Sequence, residues 1–293
     1  MTRSVFSHGR LAAAVAAAAL VLAGCGGGGG QGDAQPAATS GSAVSVVNAG
    51  KLTLCTHLEY RPFEFRDESG KLVGFDIDIA NMVAQGMGLA AEAEVVDVPF
   101  EQITSGAAMA AGRCDIGIAG MTITPERANA ILFSDPYFDA SQALIVKQGS
   151  GVTNLAQLKG RKLGVQTDTT GQIYAQDNAE ANGYEIVVFE DLPTSVNAVK
   201  SGRVDAAIND NGVLFDFAKQ NPDTEVVAEF NTGEHYGIGV RKDTGQALVA
   251  EVNKVLTAAR EDGRYDESYK RWFGDLPQTG VEPAPGMTGA PTG

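Results

Sequence analysis

Apolar residues recur along this chain in three different rhythms. The first is an unbroken run, Leu11–Leu22, built only of Ala, Val and Leu. At this length it falls short of the roughly 20 residues that a permanent membrane-spanning helix needs. The second is alternation, as in Lys51–Thr56, which predicts a half-buried strand. The third is helical spacing: Phe75, Ile79, Met82 and Val83 share one face and predict a helix over 75–88. The same reading predicts strands at Glu94–Val98, Asp115–Ala119, Leu144–Lys147, Lys162–Val165, Glu185–Phe189 and Asp205–Ile208. Helices are predicted at Phe100–Ala111 (closed by Gly112), Thr170–Ala181, Thr194–Ser201 and Gln246–Arg260. Strands alternating with helices argue for an α/β protein whose parallel sheets carry helices on both faces. Two places interrupt that rhythm, Ser134-Asp135-Pro136-Tyr137 and Glu234-His235-Tyr236-Gly237-Ile238-Gly239.

The first rhythm concerns export. Arg3 and Arg10 precede the apolar run, so residues 1–24 have the basic head and short apolar segment of a secretory signal. The run ends in Leu22-Ala23-Gly24-Cys25, which resembles the lipobox of bacterial lipoprotein precursors. That resemblance implies cleavage before Cys25 and an extracytoplasmic protein held on the membrane by a lipid on that cysteine. Residues 25–43, with Gly26–Gly30 and then small and polar residues, have little to bury and read as a flexible tether. Residues 278–293 are rich in Pro and Gly and read as a disordered tail.

Composition changes the picture only modestly. The net charge is −14; residues 1–24 hold two Arg and no acid, so the remainder has 20 basic and 36 acidic residues and stands at −16. Such a surface disfavours nucleic acid and anionic membrane as partners. Cys55 and Cys114, both in predicted strands, are either bridged or two buried thiols. No His or further Cys lies at ligand spacing, so neither metal nor another cofactor is expected.

Four segments, in order, carry a family resemblance. Gly74-Phe75-Asp76-Ile77-Asp78-Ile79 resembles the signature of the extracellular solute-binding proteins of family 3, polar amino-acid receptors of ABC importers. Tyr60-Arg61-Pro62-Phe63-Glu64-Phe65 looks like that family's first strand-to-helix loop. Ala119-Gly120-Met121-Thr122-Ile123-Thr124-Pro125-Glu126-Arg127 looks like its carboxylate-binding loop. Asp262-Gly263-Arg264-Tyr265 with Lys270-Arg271-Trp272-Phe273-Gly274 looks like its C-terminal helix. The resemblance implies a two-lobe fold of the type II periplasmic-binding-protein kind, with two hinge crossovers at the two interruptions. Lobe 1 is then 44–136 with 238–277, and lobe 2 is 137–237. It also implies a monomer that takes a free amino acid to membrane permease subunits.

A free amino acid presents a carboxylate and an ammonium, so a receptor needs a fixed cation, N–H donors and an opposed anion. Arg127 is the expected cation, because its planar fork can hold a carboxylate through two parallel bonds. Asp210, at the end of a strand where α/β sheets place ligands, is the expected partner of the ammonium. By resemblance, Gly120 and Thr122 add backbone groups, and Thr169 and Thr170 add to the carboxylate clamp from the second lobe. Gln166 lies nearer the ligand side chain, and Tyr60 and Phe100 place rings against its aliphatic part. Asp168 stands where many members carry Gly. His57, with Glu59 two residues on, is the candidate for selectivity; glutamine or glutamate is the first expectation for the ligand. The alternative reading is an exported enzyme of the same fold, a cyclohexadienyl or arogenate dehydratase. It would need a general acid over the ligand ring, for which Glu59 is the nearby candidate.

Overall fold

The computed structural model describes residues 44–274; the segments read as signal, lipid-attachment cysteine, tether and tail lie outside the described residues. Strand β1 (Thr53–Thr56) opens a first sheet. It is followed by β2 (Phe65–Arg66), β3 (Leu72–Val73), α1 (Phe75–Gly86), β4 (Glu94–Asp97), α2 (Phe100–Thr104), α3 (Ala107–Ala110), β5 (Ile116–Gly117), α4 (Pro125–Ala130) and β6 (Ile131–Phe133). The chain then crosses to a second sheet with β7 (Phe138–Lys147). It stays there through β8 (Lys162–Gln166), α5 (Thr170–Asn182), β9 (Glu185–Phe189), α6 (Leu192–Ser201), β10 (Ala206–Asp210), α7 (Asn211–Gln220) and β11 (Thr224–Tyr236). It returns to the first sheet at β12 (Gly239–Arg241) and ends in α8 (Gln246–Glu261) and α9 (Arg264–Phe273).

The sheet orders are β4-β1-β5-β12-β6 and β11-β7-β10-β8-β9, so the fold is a two-lobe α/β architecture. The sheets are mixed rather than purely parallel. β1 pairs in parallel with β4 and β5, and β8 with β9 and β10. β12 and β7, by contrast, run against their neighbours. These two strands arrive directly from the other sheet with no helix to turn the chain back, and a strand entered that way lies antiparallel.

Three local expectations are corrected. The stretch Phe100–Ala111 forms two helices, broken at Ser105–Gly106: Gly106 has φ 73, and a Cβ there would sit 2.7 Å from Ile131 Cγ2. The strand expected at Asp115–Ala119 pairs only over Ile116–Gly117. The Asp115 carboxylate instead accepts from the backbone N–H groups of Val47 (2.7 Å) and Thr53 (2.8 Å). The strand expected at Leu144–Lys147 begins six residues earlier, at Phe138.

Aromatic rings fill the region where the chain crosses between sheets. Phe138 packs edge-on against Phe63 with ring centres 4.9 Å apart and stacks on Tyr236 at 5.4 Å, while Phe273 closes the cluster at 4.9 Å from Phe138. Such rings bury large apolar areas and lock relative orientation. Cys55 and Cys114 are joined by a disulfide, with Cα atoms 5.6 Å apart. The bridge lies in an apolar cluster with Val98, Phe100, Ile103 and Met109.

Candidate ligand-binding site

The site is assembled from loops at the ends of strands in both sheets. From the first sheet, Thr124 caps α4 by accepting from the Arg127 N–H at 3.1 Å, and Pro125 at the first turn presets the helical φ. This short helix turns Arg127 inward, leaving it only 8% exposed. Its Nη1 donates to the Thr122 carbonyl at 2.9 Å and its Nη2 crosses to the Asp168 carbonyl at 2.8 Å. Phe100 lies beneath, its ring centre 5.2 Å from the guanidinium carbon. Gly120 has φ 52, and a Cβ there would stand 2.7 Å from the Tyr60 ring, so the loop passes against Tyr60 only as glycine.

From the second sheet, Gln166 ends β8, Thr169 caps α5 by accepting from Gln172 N–H, Thr170 opens that helix, and Asp210 ends β10. Asp168 between them has φ 60, a left-handed conformation that favours glycine. His57, Tyr60, Phe100, Gly120, Thr122, Arg127, Gln166, Thr169, Thr170 and Asp210 all line one cavity, joined by Glu64 and Ala119, with about 20 Å³ of free volume. That is room for about one water, so an amino acid can enter only as the lobes part. Tyr60 reaches across it: its hydroxyl lies 2.8 Å from Asn209 Oδ1 and 2.9 Å from Asp210 Oδ2.

The model of the bacterial extracellular solute-binding proteins, family 3, matches residues 52–275. The chain belongs to that family. It is 34% identical over 253 residues to the ABC transporter glutamine-binding protein GlnH of Bacillus subtilis, covering 84% of this chain and 89% of that protein. Among solved structures, an ancestral arginine-binding protein bound to arginine is 42% identical with a TM-score of 0.72, covering 77% of this chain and 99% of that one. The arginine-, lysine-, histidine-binding protein ArtJ of Geobacillus stearothermophilus is 36% identical with a TM-score of 0.68, covering 78% and 97%.

In this family 3 chain the cavity's electrostatics follow from burial. Burial works against the Arg127 charge, and the Asp210 and Glu234 carboxylates work to restore it. The Asp210 carboxyl is pushed up from 3.8 to about 6, first by burial and then by the charge of Glu234. Hydrogen bonds from Tyr236, Tyr60 and Gln142 pull it the other way. At the opposite end, Glu64 is 1% exposed and its carboxyl is raised well above the usual range by burial and then by Asp76. Asp76 is raised to about 6 by burial, while accepting from Gly120 N–H and the Tyr137 hydroxyl, each at 2.8 Å. His57 Nδ1 lies 3.0 Å from the Val98 carbonyl. A carbonyl only accepts, so Nδ1 carries the proton and Nε2 of the neutral ring is an acceptor, buried and without a partner.

Glu59 is outside the cavity, corrected from the sequence expectation: its Oε2 accepts from Arg66 N–H at 3.0 Å on the outer side of the loop. His235 binds Asp139 Oδ1 at 2.7 Å beside the crossover. Sequence reasoning did not single out Gln142, Glu234 or Tyr236, which surround Asp210 and the two threonines. It quoted Glu64 and Asp76 only as motif letters; a carboxyl flanked by apolar residues in each motif was the available signal.

Proposed function

We propose that the protein captures a free L-amino acid between its two lobes and presents it to the permease of an ABC importer. The observation that carries this reading is a guanidinium, Arg127, from one sheet and a carboxylate, Asp210, from the other lining the same cavity. Opposite charges across one small space match the two ends of a zwitterion. Thr122, Thr169 and Thr170 would add donors for the carboxylate, Gly120 having given its N–H to Asp76, and Tyr60 and Phe100 would cover the aliphatic part. With 44–136 and 238–277 moving as one lobe and 137–237 as the other, only the closed form makes both sets of contacts, so solute shifts the population toward it. The same reading makes Cys25 the lipid-bearing anchor of a monomer that works outside the cell membrane, behind a signal at 1–24 and a tether at 25–43.

The side-chain end of the cavity offers an acceptor, His57 Nε2, buried without a partner, with the Glu64 carboxyl beside it. Arg127 is the one fixed cation among the described lining residues. Acceptors favour a solute side chain that ends in donors, which suits glutamine or a basic residue and disfavours glutamate. Thermal-shift screening against the twenty amino acids should therefore raise the melting temperature with glutamine or a basic amino acid and not with glutamate. No shift with any α-amino acid would refute the reading. As for the dehydratase alternative, Glu59, the acid that the sequence offered for it, binds Arg66 N–H and does not line the cavity.

The pH dependence has a definite sign. In the empty protein the raised Asp210 carboxyl contributes stability below its ordinary 3.8, and this is lost as pH rises through about 6. A bound ammonium favours the ionised carboxylate, so below about 6 binding must first remove a proton. Affinity is expected to fall as pH drops through that value, approaching about tenfold per pH unit, and Asp210→Asn should weaken binding and flatten the slope. Titration calorimetry across that range checks it; an unaltered slope in Asp210→Asn would assign the proton elsewhere.

A further inference from the structure

Glu234 lies near the end of β11, at the return crossover, and its carboxylate collects donors from both lobes. Thr122 Oγ1 donates to Oε2 at 2.8 Å and Thr170 Oγ1 to the same oxygen at 2.7 Å. Thr232 Oγ1 and Gln142 Nε2 approach Oε1 at 2.8 and 3.1 Å. Thr122 belongs to the loop after β5 in the first sheet, Thr170 to the first turn of α5 over the second, and both line the cavity. A hydroxyl has a single proton to donate. While Glu234 holds both threonine protons, neither threonine can donate to a carboxylate inside the cavity. Beside it, both Arg127 Nη groups are engaged with backbone carbonyls, which hold a guanidinium less strongly than a carboxylate would. The chain thus brings a carboxylate of its own to the donors that a solute's carboxylate would use.

We propose that Glu234 is an internal competitor for the solute's α-carboxylate, latching Thr122 to Thr170 across the lobes in the empty protein and giving way when solute binds. This rests on the reading that the α-carboxylate is received by Arg127, Thr122 and Thr170. A contact made only in the empty state opposes binding by as much as it stabilises that state. A second carboxylate left beside the bound one adds repulsion. Glu234 therefore sets the affinity of a site it does not help to fill, and it holds the empty lobes closer together than they would otherwise rest.

The test compares wild type with Glu234→Ala and the isosteric Glu234→Gln, titrating L-glutamine and L-arginine separately by calorimetry and measuring the empty proteins by small-angle X-ray scattering. Glu234→Ala is expected to bind whichever of the two solutes the wild type binds about tenfold more tightly, with Glu234→Gln shifted in the same direction. Empty Glu234→Ala is expected to show a larger radius of gyration than empty wild type. Equal or weaker affinity in either folded variant overturns the proposal, and the Gln variant carries the measurement where Ala does not fold. A wild type that binds neither solute counts against the amino-acid reading instead. The scattering pair still decides the latch in that case, and no expansion on removing Glu234 overturns it.

Discussion

Arg127→Ala is expected to reduce affinity for the amino acid by about 10²–10⁴-fold while leaving the fold in place. The magnitude follows from two charge-assisted bonds of about 1.5–3 kcal/mol each in a water-poor cavity, with every 1.4 kcal/mol worth about tenfold. Lysine at this position should recover part of the loss, since it returns the charge but not the planar fork. Stability should suffer much less. The truncation leaves the carbonyls of Thr122 and Asp168 without the guanidinium, but both border the cavity, where water can replace the lost donors. The melting temperature should fall by only a few degrees. Calorimetric titration together with a thermal melt separates the two effects, and a folded variant with wild-type affinity would remove Arg127 from the carboxylate clamp.

Replacing Cys55 and Cys114 together with alanine should have the reverse profile, a large loss of stability with a small loss of binding. The bridge closes a loop with a sequence separation of 59. In the chain-entropy account, releasing a loop of this length costs about 4 kcal/mol. The two sulfurs also pack with Val98, Phe100, Ile103 and Met109, so their removal leaves a small void beneath Phe100. Phe100 underlies the guanidinium, which is the route by which affinity should weaken slightly. Denaturant unfolding of the double variant beside wild type measures the difference; coincident midpoints and slopes would show that the bridge adds nothing to stability.

The residues proposed to hold the solute were named with the help of the family resemblance, and each stands in a short segment with its own local signature. Arg127 follows a Thr-Pro helix start, Thr170 begins a helix after a strand, and Asp210 ends a buried strand. Other elements were equally plain: the strand at Glu185–Phe189 lies where it was predicted, and the helix predicted at Thr170–Ala181 runs one residue further. β11 was not legible. Its 13 residues are mostly half-buried, with register shifts between Val226 and Ala228 and between Phe230 and Glu234, so no clean alternation marks it. The break at Gly106 was hidden because the apolar spacing of Phe100–Ala111 continues across it.

Local pattern, then, determined the α/β class, most of the elements and the residues with charge or hydroxyls to offer, since spacing, caps and strand ends are written within a few residues of one another, while the two-lobe division came from the family resemblance. Only the tertiary structure decided which of those groups meet. Tyr60 and Asp210 are separated by 150 residues and Thr122 and Glu234 by 112, yet each pair is in hydrogen-bond contact. The burial that raises Asp210 and Glu64 is likewise a property of the packed lobes. The physical reason is range: propensity and periodicity act along the chain over a turn or a strand, whereas a charge in a cavity answers to whatever the folded chain brings within a few ångströms.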